Sequence, residues 1–163
     1  MSLNHLVTEI GKMLRNLDAC LEKAAASGLD ERALLDSRLA PDMFPLQRQV
    51  QIACDTAKFA AARTAGKEAP SQADDETTIA QLRQRIAVVG EYLTGFSAAD
   101  FEGADDRRVG TPRWEGKTMS GREYFVEHAV PNFFFHLTTA YALLRHAGVA
   151  IGKRDFLGPM PLK

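Results

Sequence analysis

Apolar residues recur at Leu3, Leu6, Val7, Ile10, Met13 and Leu14, then at Leu17, Cys20, Leu21 and Ala24, the three-and-four spacing of one helix face. Polar Glu9, Lys12, Arg15 and Glu22 take the other side, so the pattern predicts an amphipathic helix over Leu3–Ser27, closed by Ser27-Gly28. His5 lies beside the stripe as a rim residue. Asp30–Leu39 reads as a short helical connector, stopped at Ala40-Pro41 because the residue before a proline is pushed out of helical geometry. A second long helix is predicted from Phe44 or Pro45 to Ala65, closed by Gly66, with Leu46, Val50, Ala53, Cys54, Ala57 and Ala61 inward. Beside that stripe Gln47, Gln51 and Asp55 recur every four residues and form a polar line, expected to face solvent along the core's edge.

GKEAPSQADD, residues 66–75, has turn formers and charge without periodicity and reads as a loop. Asp74 or Asp75 can cap the next helix, predicted over Glu76–Gly95 on Ile79, Leu82, Ile86, Val89, Leu93 and Phe96. The stretch Ser97–Ser120 is too long for a simple connection, and Val109 with Trp114–Met119 predicts a short hairpin or lid over one end of the fold. Arg107, Arg108 and Arg113 make it locally basic and make anion binding one of its candidate roles.

PNFFFHLTTAYALLRHAG, residues 131–148, is apolar nearly all round and predicts the central helix of a bundle, with Pro131 at its first position and Gly148 just past its end. Phe133, Phe134, Phe135 and Leu143 are expected in the core, and Asn132 and His136 share one stripe with Thr139, Ala140 and Leu143. Beyond it, Ile151, Phe156 and Leu157 are expected to pin the tail to the bundle.

Composition changes this picture little. At 163 residues with a formal net charge of -1, the chain fits one all-α domain spanning residues 1–163, without the basic excess of a nucleic-acid binder. MSLNHLVTEIGKML has no basic, apolar and cleavage-site succession and no later stretch reaches membrane-span length, so the cytoplasm is expected and no membrane partner. Cys20 and Cys54 occupy core-like helix positions with no metal or redox spacing. No phosphate loop, dinucleotide glycine pattern, GxSxG elbow or HExxH is present.

At PNFFFHLTTAYALLRHAG followed by GVAIGKRDFLG the chain resembles the DinB/YfiT-like superfamily, and more closely an uncharacterised family within it. The resemblance implies a four-helix bundle, often a homodimer, with a nickel or zinc ion held by three histidines, one on the second helix and an HxxxH pair on the last. His136 falls at the second place of that pair, where it is the best single metal candidate, and Asn132 takes the first. The second helix offers no histidine; Gln47, Gln51 or Asp55 stands in its place. Amide oxygens replace imidazole poorly as zinc or nickel ligands, and His5, His128 and His146 are the remaining histidines. The expected function is a bundle with a degenerate metal site and a small-molecule pocket near His136, with Trp114 a further pocket candidate. The alternative that the resemblance implies is a metal-dependent thiol transferase or hydrolase.

Overall fold

The computed structural model describes residues 2–163. Ser2 caps the first helix, α1 (Leu3–Ala25), accepting a bond from the His5 N–H, and the predicted stripe of α1 is buried from Leu3 to Ala24 except for the half-buried Leu6. A short α2 (Glu31–Asp36), capped by Asp30, leads to α3 (Leu46–Ala65), which Gly66 ends in the left-handed conformation at φ 69°. Next comes α4 (Ile79–Thr94). Its cap is Thr78, in a capping box with Gln81, rather than Asp74 or Asp75. Asp74 is instead drawn away to the guanidinium groups of Arg48 and Arg85.

The enclosed helix of the bundle is α3, not the last one. It packs against α4, the last helix and α1, and its buried alanines, Ala53, Ala57, Ala60 and Ala61 among them, let those neighbours approach closely. The packed pairs α1 with α4, α4 with α3 and α3 with the last helix run around the bundle in that order, which leaves α4 and the last helix at opposite corners.

The predicted hairpin forms as β1 (Arg108–Val109) against β2 (Met119–Ser120), antiparallel, with Val109 opposite Met119. The last helix starts ten residues earlier than its proline suggested. It opens as α5 (Gly121–Glu123), where a Cβ on Gly121 would lie 2.6 Å from the Ala104 carbonyl oxygen. A π-helical segment, Tyr124–Ala129, follows and runs directly into α6 (Val130–His146). Pro131 thus lies inside a continuous helix, next to the wider turn, the kind of local departure that accommodates a residue with no N–H to give.

Phe133 is fully buried, but Phe134 and Phe135 are exposed, Phe135 by 56%. A run of three aromatics cannot all face one side at 100° per residue, and the last helix has its bundle neighbours on one flank. Phe135→Ala is therefore expected to change the unfolding free energy, read by urea denaturation, by no more than about 0.5 kcal/mol, the usual range for surface substitutions. The tail forms α7 (Lys153–Leu157) against α1: Asn16 donates to the Phe156 carbonyl at 3.0 Å, and Phe156 meets Tyr141 edge to face. Ile151 is buried as expected, whereas Leu157 is exposed.

Candidate functional site

Three elements converge on a cleft of about 430 Å³, within the size range of small-molecule pockets. From α3 come Arg48, Ile52, Thr56, Phe59 and Arg63, spaced by threes and fours along one stripe, with Asp55 at its edge. The last helix gives Tyr124, His128, Asn132 and His136, one every four residues across the π-helical segment. The loop between the strands closes the cleft with Thr111, Pro112, Arg113 and Trp114.

His136 is buried, and its Nδ1 lies 2.7 Å from Gln49 Oε1. The Gln49 amide is oriented by its own Nε2, which donates to the Phe44 carbonyl at 2.9 Å. Its oxygen therefore faces the imidazole, so Nδ1 carries the proton and Nε2 keeps the lone pair. One turn earlier Asn132 Nδ2 donates to Thr56 Oγ1 at 2.7 Å. His128 stacks on Tyr124 at 5.5 Å and meets Trp114 edge to face at 5.3 Å, and its buried Nδ1 has no hydrogen-bond partner among the described residues.

Burial lowers the pKa of both histidines, and nearby arginines lower it further, Arg63 for His128 and Arg48 for His136. Both rings are neutral at physiological pH. Arg63 holds its guanidinium 4.4 Å from the Phe59 ring centre and 5.9 Å from that of Tyr124, a cation stacked on aromatic faces.

The cleft brings together four of the sequence candidates, His136, Asn132, Asp55 and Trp114, and leaves out two. Gln47 donates to the Glu76 carbonyl and Gln51 Nε2 donates to Glu76 Oε2 at 2.8 Å, so neither faces His136. The polar line on α3 is not a solvated flank. It lies against the 66–78 loop and Arg85 of α4, where Asp55 Oδ1 accepts from Arg85 at 2.8 Å and lies 3.2 Å from the Lys58 ammonium.

Gln49 and Thr56, the residues of α3 that answer His136 and Asn132, were hidden by their neighbours in sequence: a stripe drawn through Gln47, Gln51 and Asp55 passes them by. His128 belongs to the same four-residue series as Asn132 and His136, a series visible in the sequence once Pro131 is allowed inside the helix. His5 and His146 are exposed and lie outside the cleft. Of the three loop arginines only Arg113 reaches it; Arg107 donates to the Thr64 carbonyl and closes over Gly66. Cys20 and Cys54 are buried thiols, and burial pushes their pKa values up to about 11 and about 12.

The three imidazoles that the resemblance implies are not assembled here. Among the described residues no group of three or more His, Cys, Asp or Glu side chains is placed to hold a metal ion. Where those donors would stand are an amide bonded to a hydroxyl and an imidazole bonded to an amide, a set that fits nickel or zinc poorly. Nor is any helix among the described residues long and apolar enough to cross a membrane.

Among curated proteins, none matches this chain. The chain is similar over 96% of its length to the crystal structure of a DinB family member protein from Shewanella denitrificans, at 54% identity and a TM-score of 0.92, covering 92% of that protein's chain. Residues 4–157 match the family described as "Domain of unknown function (DUF1993)". A DinB-like helical bundle over nearly the whole chain and a family match of that extent together mean that the protein belongs to the DUF1993 family, on a DinB-like fold.

Proposed function

We propose that the protein binds a small molecule in the cleft between α3, the last helix and the 111–114 loop, and that this face has lost the metal chemistry of its superfamily. One observation carries the reading: the helix face His128, Asn132, His136 is answered from α3 by the Thr56 hydroxyl and the Gln49 amide, while 430 Å³ of space stays open beside it. Buried polar groups that satisfy one another hold a wall in place. His136 Nε2, left with a lone pair, is then an acceptor for a ligand N–H or O–H. The exposed Phe134 and Phe135 support a further proposal, that the protein is a homodimer, which sedimentation would check.

The test is thermal melting with and without zinc or nickel. No metal-dependent rise in melting temperature is expected, and His136→Ala should cost about 1–3 kcal/mol by stranding the Gln49 amide. A reproducible rise on adding metal, abolished by His136→Ala and accompanied by about one bound metal per chain, would overturn the reading, because a ligand of the folded state stabilises by mass action.

A further inference from the structure

We infer that the cleft takes a small aromatic anion, a ring bearing a carboxylate or phosphate, with Arg63 and Arg113 gripping the oxyanion and the ring lying beside Phe59 and Trp114. The inference rests on the proposed binding role of the cleft and adds the class of its ligand.

The charges lining the cleft do not cancel. Asp55, its one acidic group, already accepts from Arg85 at 2.8 Å and lies 3.2 Å from the Lys58 ammonium, so it has little attraction left for a ligand cation. Arg48 is engaged by Asp74 and by Gln51 Oε1. Arg63 and Arg113 have no carboxylate partner among the described residues. Two guanidinium groups without counter-ions, one from α3 and one from the loop, lining the same cleft make a candidate oxyanion site, since their fork matches carboxylate and phosphate oxygens.

Arg63 is also held in place. Its plane rests against Phe59 and Tyr124, and Nη1 donates to the Tyr124 hydroxyl at 3.4 Å, so less side-chain entropy is lost when it binds. Burial, and after it the charge of Arg63, lowers the pKa of His128, whose Nδ1 has no hydrogen-bond partner among the described residues and lies beside Trp114. Trp114 and Phe59, both half-buried, give an aromatic body surface to pack on, and Trp114 is backed by the buried Tyr124 at 6.1 Å and 66°.

Trp114 is the chain's single tryptophan and borders both this cleft and a neighbouring hollow lined by Arg113, Glu115 and Lys117, so its fluorescence is assigned to the cleft through Arg63, which lines the cleft and not the hollow. The experiment titrates the full chain with benzoate, phenyl phosphate and the neutral benzamide at millimolar concentration, and repeats the titrations with Arg63→Gln and Arg113→Gln. Arg113 is exposed, so Arg113→Gln keeps the test valid if Arg63→Gln folds poorly.

Benzoate or phenyl phosphate is expected to change the Trp114 emission with at least roughly tenfold higher affinity than benzamide, with the advantage lost in both Arg63→Gln and Arg113→Gln, as for the loss of a charge-assisted hydrogen bond; loss in Arg113→Gln alone would place the anion outside the cleft and overturn the inference. The tighter of the two anions identifies the oxyanion. Equal binding of benzamide and the anions would overturn the anionic class while leaving the cleft a binding site. No response to any of the three would overturn the aromatic-anion inference, whereas the proposed function falls on its own test, the metal-dependent melting.

Discussion

Arg85→Ala is expected to lower the unfolding free energy by about 3–5 kcal/mol, the cost of leaving buried charges without their counterpart. Arg85 is only 3% exposed, and its guanidinium ties four groups together. Nη1 donates to Glu76 Oε1 at 2.9 Å and to the Ala73 carbonyl at 2.8 Å; Nη2 reaches Asp55 at 2.8 Å and Asp74 at 3.0 Å. Through these bonds one side chain of α4 fixes α3 and the 66–78 loop. Globular domains are stable by only about 5–15 kcal/mol, so the loss would be a large share of the total. Equilibrium unfolding in urea reads it; a loss below about 1 kcal/mol would mean that the network contributes no more than surface ion pairs do.

The same network sets an acid limit. Burial alone would raise the Glu76 pKa, but hydrogen bonds from Arg85 and Gln51 and the charge of Arg85 outweigh it and hold the carboxyl below its ordinary 4.5. A depressed carboxyl pKa contributes stability that is full above the unfolded value and lost as pH falls through the folded one. The loss from this group therefore lies below pH 4.5, and Glu76→Gln should flatten that part of the stability profile. The network also matters for the cleft, because removing Arg85 would free Asp55 to offset the charge of Arg63 and Arg113.

How much of this was legible in the sequence depends on the distance over which each feature is determined. The stripes of α1 and α4 were readable because a single face of each is buried and the three-and-four spacing marks it, from Leu3 to Ala24 and from Ile79 to Leu93. A short hairpin or lid involving Val109 and Trp114–Met119 was readable, but the register that sets Val109 opposite Met119 was not. The orientation of the last helix was not. Its run of apolar residues carries little periodicity, so Phe133, Phe134 and Phe135 looked alike until packing distinguished them.

Pro131 misled for a different reason. A proline is most at home in the first turn of a helix, and only the π-helical turn before it explains a position in the interior. Of the site, His136 and Asn132 were legible by their shared stripe, while their partners Gln49 and Thr56 depend on how α3 is rotated against the last helix. Two-helix rotation is set by long-range packing, which no local spacing records. The amide residues that looked like site residues, Gln47 and Gln51, were recruited by Glu76, which precedes α4 instead of opening it.

Phe133→Ala is expected to cost about 3–5 kcal/mol, against the near-neutral Phe135→Ala two residues along the same helix. Phe133 is 0% exposed and belongs to the single core cluster shared with α1, α3 and α4. Removing its ring loses the transfer free energy of the buried surface and leaves a cavity that close-packed neighbours fill only in part. Phe135 has mostly water to lose contact with. The pair thus separates helix propensity, which changes similarly for both substitutions, from burial, which does not. Phe133 also follows Asn132 directly and sits three residues before His136, so it helps fix the rotation that presents both to the cleft. A partly folded Phe133→Ala protein should therefore show a shifted Trp114 emission as well as a lower urea midpoint. Equal midpoints for the two variants would mean that the last helix is rotated from the orientation described, and that the face carrying His128, Asn132 and His136 does not line the cleft.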